Sequence, residues 1–258
     1  MSSHRSVARQ TAAALLAIGV SAATWIGCGG SDGDGGAPIY PAIEVRLPVL
    51  DQAQSLTGEV RYAGPAKAVR SFPAPDAACA RDGHEIPDET WVIADGRLAN
   101  VLVYVKSGLE NYTFDYEKAE IELDQDGCMF RPHVLAIRSY QPIRFKNSDP
   151  IVHNVNAQAI GRAFGLGPQE LGPPRQITKP VIGSKLTCDL HANMLAYLHV
   201  LDHPYFRVTG ADGRFDLGKL PPGTYTIAAW HEAGKEQTQQ VTIQAQEPPP
   251  PLDFTFSR

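Results

Sequence analysis

The sequence predicts an all-β fold, and two observations support that class. Short runs of β-branched and aromatic residues recur along the 258 residues, separated by turns that use the 23 glycines and 21 prolines. Such runs, bounded by Gly and Pro, are typical of strands, whereas helical periodicity is nearly absent. With 43% apolar and 20% charged residues, the chain is hydrophobic enough to form a packed core. Its length suffices for one large or two ordinary domains.

Net charge and motif content exclude several functions. The formal charge of −5 provides no basic surface, so we expect no nucleic-acid partner. The sequence contains no nucleophile elbow, P-loop, haem-attachment or HExxH motif, and its acidic residues form no recognisable acid/base pair. We therefore predict that the protein is not an enzyme.

The chain begins with a targeting segment, which we exclude from the fold. Residues 1–27 combine a basic start with a short apolar run, as in a cleaved signal peptide. Gly27 before Cys28 resembles a bacterial lipobox, in which the cysteine is lipidated, although Trp25 stands where Leu is usual. An ordinary secretory signal is the alternative. We predict a monomeric lipoprotein of the cell envelope, periplasmic or in the outer membrane, held to the membrane by its lipid anchor through a flexible tether over 28–54.

The folded part is predicted to consist of short strands and turns. Alternation of apolar and polar residues, as in 56–62, indicates half-buried strands. Strands are expected at 42–50, 56–62, 91–93, 98–105, 119–123, 134–138, 142–147, 153–157, 176–182, 185–188, 196–201, 206–208, 215–217, 225–231, 240–243 and 252–256. Loops are expected over 70–89 and over 161–174, where Gly and Pro occur without a period.

One segment has the spacing of a metal-binding loop. Cys188, His191 and Met194 follow the pattern C-x-x-H-x-x-M, so a single tight loop after a strand can offer three ligands. Thiolate and thioether suit Cu(I), and imidazole suits both copper oxidation states. The missing ligand must be a second imidazole, and His153, which follows a polar turn, is the candidate. Zinc is the alternative metal, but its structural sites prefer four Cys or His ligands.

The surroundings of this loop indicate a family. The pattern F-x-N-x-D at 145–149, followed by H-N-V at 153–155 and then the C-x-x-H-x-x-M loop, resembles the cupredoxins. The short ligand loop is most similar to that of the amicyanin type. The resemblance extends over about 119–202 and implies a Greek-key β-sandwich.

The resemblance also implies a ligand set and a supporting residue. Asn154 occupies the position at which the family has an Asn that ties the two ligand loops together. Ala192 replaces a common Pro, and Asn193 replaces an aromatic residue, so the surface around the site departs from the family pattern. One type 1 copper would be bound by His153, Cys188, His191 and Met194.

This set implies one-electron transfer at the cell envelope, with an unknown redox protein as the partner. Two alternatives stay open. One is a non-redox binding or structural lipoprotein that only holds copper, and the other is a protein for copper storage or delivery.

The remaining cysteines and histidines allow alternatives. Cys79 and Cys128 are expected to pair, because disulfides persist in exported proteins, although two free thiols are the other interpretation. His133 has no assigned role. A second metal site from His203, His231 and Glu232 is one hypothesis, and ordinary hydrogen-bonded histidines are the alternative.

The C-terminal stretch indicates a second sandwich. An Asp-Gly turn at 212–213, an alternating strand and a Pro-Pro-Gly turn at 221–223 predict hairpins. This stretch resembles the carboxypeptidase regulatory-like, or transthyretin-like, sandwich. We expect its halves at 55–118 and 204–258, with the cupredoxin domain, 119–203, nested between them. Three unrelated pieces are the alternative, but about fifty residues make a thin sandwich alone.

Overall fold

The computed structural model describes residues 37–65, 70–79, 85–161 and 163–257. The expected signal peptide, Cys28 and the first part of the tether lie outside these residues and stay predictions. Within the described residues, no helix combines the length and the apolar character needed to span a membrane.

The described chain is almost entirely β-structure, which confirms the predicted all-β class. Its first ten strands are β1 (Gln54–Tyr62), β2 (Ser71–Phe72), β3 (Ile86–Pro87), β4 (Ile93–Ala94), β5 (Arg97–Leu98), β6 (Leu102–Ser107), β7 (Ile121–Gln125), β8 (Phe130–Arg131), β9 (Val134–Arg138) and β10 (Pro142–Asn147). The others are β11 (His153–Val155), β12 (Phe164–Leu166), β13 (Leu171–Gln176), β14 (Val181–Thr187), β15 (Leu195–Leu201), β16 (Phe206–Val208), β17 (Arg214–Leu220), β18 (Gly223–Trp230), β19 (Gln237–Ile243) and β20 (Phe254–Phe256). Two single-turn 3-10 helices, Glu89–Trp91 and Gln158–Ile160, complete the described elements.

Strands from both ends of the described chain form one sandwich, the framing sandwich, defined as β1, β4–β6 and β16–β20. In its first sheet, β1 pairs with β17 and β5 in antiparallel fashion and with β20 in parallel, and β4 extends β5. The second sheet has the order β16-β6-β18-β19. Alternate residues of β17, such as Phe215 and Leu217, are buried, as the period of a one-sided strand requires. The core between the sheets includes Leu56, Val60, Leu98, Val103, Tyr225, Ile227 and Phe254.

Strands β7–β15 form the central sandwich. One sheet has the order β13-β10-β7-β8, the other has the order β14-β15-β9, and β11 pairs with β12. The pairs β7–β10 and β9–β15 are parallel. The core of the central sandwich includes Leu123, Phe130, Ile137, Ile143, Phe145, Val155, Leu186, Ala196 and Leu198.

The central sandwich lies between two neighbouring strands of the framing sandwich. The chain leaves the framing sandwich after β6 and returns to it at β16, and these two strands are antiparallel partners. A segment whose ends emerge side by side can be inserted without disturbing its host. A small buried cluster of Leu102, Tyr104, Leu201 and Ala228 packs strands β6 and β18 against β15.

Several secondary-structure predictions are wrong. The expected loop 70–89 contains the short strands β2 and β3, and the strand expected over 91–93 is largely replaced by the end of the 3-10 helix Glu89–Trp91, with β4 beginning at Ile93.

The expected loop 161–174 contains β12 and the first part of β13. Strand β13 lies at a sheet edge. Residues without an N–H group are tolerated there, so Pro173 and Pro174 do not prevent a strand. Residues 42–50 form no strand, and only Arg46 pairs there, with Thr113. The strand expected over 176–182 is interrupted, since β13 ends at residue 176 and β14 begins at residue 181.

A buried pair connects the two sandwiches. His133 follows β8 and Glu232 follows β18, and Nε2 of His133 lies 2.5 Å from Oε1 of Glu232. The two side chains are only 6% and 5% exposed. Burial acts to lower the pKa of His133, but the hydrogen bond and charge of Glu232, together with the charge of Glu89, raise it above its ordinary value.

We predict that this pair stabilises the fold most at low pH. Because the pKa of His133 is raised on folding, its contribution is complete below the ordinary value of 6.5 and is lost as the pH rises through the folded-state pKa. Glu232→Gln should lower the free energy of unfolding by about 1–3 kcal/mol at pH 6 and by less at pH 9, measured by urea denaturation. The exposed Glu247→Gln is the control, and a loss independent of pH would contradict a charged pair.

Candidate metal centre

Three of the four predicted ligands meet at one end of the central sandwich. His153 is the first residue of β11, and Cys188 and His191 lie in the turn between β14 and β15. The two Nδ1 atoms of the histidines are 3.0 Å apart, and Sγ of Cys188 lies 4.0 Å from that of His153 and 3.8 Å from that of His191. One ligand atom from each of the three residues therefore lies within 4.8 Å of the ligand atoms of the other two.

Met194 closes the same turn. Its N–H donates to the carbonyl of His191 at 3.0 Å, and its side chain, 1% exposed, belongs to the core of the central sandwich. The role of Met194 as the fourth ligand stays a prediction.

Asn154 ties the two ligand-bearing segments together, as the resemblance implied. Its side chain donates to Asp189 at 2.8 Å and accepts from the N–H of the same residue at 2.7 Å. Its own N–H donates to Sγ of Cys188 at 3.5 Å. Hydrogen bonds of this kind hold a sulfur in place and favour its anionic form.

The turn before His153 is fixed by a buried amide. Asn147, at the end of β10, donates from Nδ2 to the carbonyls of Ile151 at 2.7 Å and Gly167 at 2.8 Å. Its Oδ1 accepts from the N–H of Asp149 at 3.0 Å. Since Asn147 is fully buried, these bonds determine the path by which the chain reaches His153.

A tight turn between β7 and β8 holds the carboxylate of Asp149. Gly127 and Cys128 both have positive φ, 65° and 53°, and the N–H of Asp126 donates to the carbonyl of Met129. This is the geometry of a two-residue hairpin of the primed type, which favours Gly. The turn directs the N–H groups of Gly127 and Cys128 at the two oxygens of Asp149, at 2.7 and 2.8 Å.

Asp149 in turn orients His153. Its Oδ2 lies 2.9 Å from Nε2 of His153, and both side chains are completely buried. A carboxylate on one ring nitrogen leaves the other, here Nδ1, as the free lone pair for a ligand. Asp149 belongs to the F-x-N-x-D motif, but no role was predicted for it; its position four residues before His153 was the available signal.

The electrostatics of the three groups are coupled. Burial opposes charge on Asp149, but its hydrogen bonds from His153 and from the N–H groups of Cys128 and Gly127 lower its pKa.

Burial also acts against charge on His153 and Cys188. For His153, the hydrogen bond to Asp149, followed by the one to Cys188, outweighs burial and raises the pKa to about 9. For Cys188, hydrogen bonds from His153, from the N–H of Asn154 and from His191 outweigh burial and lower the pKa to about 6. Without metal, these shifts favour a protonated His153 beside anionic Asp149 and Cys188, and metal uptake would release the proton.

A disulfide lies directly against the site. Cys79 and Cys128, whose pairing was left open by the sequence, are joined, with their Cα atoms 5.2 Å apart. Sγ of Cys128 lies 3.9 Å from Nε2 of His153, and the side chain of Asn193 in the ligand turn donates to the carbonyl of Cys128. Nothing in the sequence indicates this proximity, because the two cysteines are far from the ligands along the chain.

The structure does not bring together the residues of the hypothetical second metal site. Nδ1 of His203 accepts from the N–H of Tyr205, and His231 stacks on Trp91 at 4.5 Å. Glu232 contacts His133 instead. Among the described residues, no group arranged to hold a metal includes His203, His231 or Glu232.

The donor set fits one transition-metal ion. Two imidazole nitrogens and one thiolate suit a soft or borderline ion. Because hydrogen bonds already orient His153 and Cys188, these two ligands need little movement when the ion binds. The set lacks the row of carboxylates that Mg²⁺ or Ca²⁺ requires.

No protein-family model matches the chain, and no curated protein does. Among solved structures, it is similar to the Cu-containing nitrite reductase (NirK) from Thermus scotoductus SA-01, with 21% identity over 39% of this chain and a TM-score of 0.30. This chain spans about a quarter, 25%, of the length of that protein. It is also similar to an amicyanin mutant in the oxidised state, with 20% identity over 31% of this chain and 81% of that one, at a TM-score of 0.27. A Cu(I)-state amicyanin mutant shares 17% identity over 38% and 97% of the two chains, at the same TM-score of 0.27. These neighbours are cupredoxins.

We predict that Asp149 is responsible for the raised pKa of His153. Replacing it by Asn removes the charge and keeps the side-chain shape, so burial would dominate and the pKa of His153, about 9 in the metal-free protein, should fall by more than about 1 unit. NMR titration of the histidine ring protons measures this. Asp189→Asn, an exposed carboxylate in the ligand turn, should leave it nearly unchanged. An unaltered His153 pKa in Asp149→Asn would contradict the assignment.

Proposed function

We propose that the protein is an electron-transfer protein with one type 1 copper, bound by His153, Cys188, His191 and Met194. The observation that supports this best is the convergence of two imidazole Nδ1 atoms on a buried cysteine whose pKa is lowered to about 6. Copper bound there would supply one-electron chemistry by cycling between Cu(II) and Cu(I).

The ligands are suited to both oxidation states. The Cys188 thiolate and the Met194 thioether are soft donors that favour Cu(I), and the two imidazoles are acceptable to both states. Asp149 and Asn154 hold His153 and Cys188 in place through hydrogen bonds. Side chains fixed in this way need little movement when the charge at the site changes, which favours rapid electron transfer.

The surface next to the site is the proposed route for electrons. His191 is partly exposed, whereas His153 is fully buried. Leu190 and Val152, the residues before the two histidines, are 59% and 50% exposed. Because His191 is a partly exposed ligand and these two apolar side chains lie next to the ligands in sequence, we propose that the redox partner docks here. With the expected lipid on Cys28, the exchange would take place at the cell envelope.

The second candidate is a non-redox protein that only holds copper. The framing sandwich, which would be the transthyretin-like module, could then bind a surface polymer or partner while the metal plays a structural role. The two candidates differ in whether the bound copper accepts and returns an electron without leaving the protein.

We predict an intense visible thiolate-to-copper charge-transfer band when the full chain is given Cu(II). Cys188→Ser should abolish the band, because a hydroxyl cannot replace the thiolate that produces it. Lys185→Ser, an exposed change in the preceding strand, is the control and should keep the colour. A colourless wild type, or a coloured Cys188→Ser, would refute the copper site.

Voltammetry of the coloured protein then separates electron transfer from copper storage or delivery and from a protein that only holds copper. A reversible one-electron couple, with the colour bleached on reduction and restored on oxidation, is the expected result. Irreversible loss of copper on reduction would instead favour storage or delivery, and a band that no mediator reduces would favour mere holding.

A further inference from the structure

The disulfide beside the candidate centre is itself a potential set of ligands. The sulfur atoms of Cys79 and Cys128 and one ring nitrogen of His191 all lie within 4.8 Å of one another. Cys79 is 5% exposed and Cys128 is fully buried. After reduction, the two sulfurs can act as thiolates, which are soft donors that favour Cu(I), and the neighbouring imidazole is also acceptable to copper.

We propose that reduction of the Cys79–Cys128 disulfide creates a second copper site, a Cu(I) site formed by Cys79, Cys128 and His191. The proposal rests on the proposed function only in the choice of copper, since it makes no use of Cys188, Met194 or His153. The two cysteines would then bind metal in addition to stabilising the fold.

The chemistry requires a dithiol as reductant. One thiolate of the dithiol attacks a sulfur of the disulfide to form a mixed disulfide, and its second thiol then displaces the protein sulfur. The S–S bond of the protein breaks, an S–S bond forms in the reductant, and two electrons and two protons pass to Cys79 and Cys128. Binding of Cu(I) displaces the two protons from the thiols.

Backbone hydrogen bonds to other segments hold Cys128 in place, and packing in the core keeps Cys79 near it. The N–H of Cys128 donates to Asp149 at 2.8 Å, and its carbonyl accepts from Asn193 at 3.0 Å. The N–H of Cys79 donates to the carbonyl of Asp76 at 3.0 Å. Both residues also pack in the core of the central sandwich. The thiols are therefore expected to stay beside His191 after reduction.

Sharing of His191 makes the two sites compete. In the disulfide form, His191 is available only to the Cys188 set, which suits electron transfer. In the dithiol form, the thiolates of Cys79 and Cys128 compete for Cu(I) and bind it together with His191 alone, without a second imidazole. The redox state of the disulfide would thus select between exchanging electrons and retaining Cu(I).

The test uses the full chain with Cys28→Ser, which removes the remaining thiol, and with Cys188→Ser, which disables the proposed blue site. Cu(I) affinity is measured by competition with a chromogenic Cu(I) chelator, without oxygen, before reduction and after reduction by a small dithiol that is then removed. We expect the reduced protein to bind one Cu(I) at least about tenfold more tightly than the disulfide form. Adding His191→Ala should abolish most of that gain.

Each other outcome overturns the proposal. Equal affinity in both redox states would show that the dithiol is no ligand set. A gain that persists in His191→Ala, or that accompanies loss of the near-ultraviolet circular dichroism of the fold, would show binding by unorganised thiols. Because Cys188 is absent from these arms, the result is independent of whether the wild type turns blue. Cys79→Ser/Cys128→Ser with Cys188 intact is the matched control, and dithiol treatment should leave its Cu(I) affinity unchanged.

Discussion

The buried carboxylate of Asp149 is the interaction on which the candidate metal centre depends. It joins three segments that are separate in sequence: the hairpin turn at Gly127 and Cys128, its own turn after β10, and His153 at the start of β11. A buried charge without partners is very costly, so the hairpin N–H groups and the imidazole must remain in contact with it. By occupying Nε2 of His153, it leaves Nδ1 directed at Cys188 and His191.

The framing sandwich supports the central sandwich that carries the site. The chain enters and leaves the central sandwich through β6 and β16, which are neighbours in one sheet. A buried cluster around Leu102 and Leu201 and the His133–Glu232 pair pack the two sandwiches together.

The alternation of apolar and polar residues predicted most of the strands. Strands β1 and β17 each bury one face, so apolar residues alternate with polar ones along much of each strand. The same pattern failed at β12 and β13, where the Gly- and Pro-rich sequence is compatible with a sheet edge as well as with a loop.

Sequence was informative about the ligands and much less so about what supports them. The spacing of Cys188 and His191 requires no knowledge of the fold, since one turn brings the two residues together. His153 needed a family resemblance. The roles of Asp149 and of the Cys79–Cys128 disulfide depend on which turns meet in space, and contacts between segments so far apart leave no periodic trace in a single sequence. The pair His133–Glu232 was missed for the same reason.

The central claim is that Cys188, His153 and His191 bind one ion together. X-ray absorption at the copper edge of the Cu(II)-loaded full chain tests this most directly, because it counts the atoms bound to the metal. We expect one short copper–sulfur bond and two imidazole nitrogens in the wild type, and no such copper–sulfur bond in Cys188→Ser. A coordination sphere made only of nitrogen and oxygen, or one that is unchanged in Cys188→Ser, would contradict the claim.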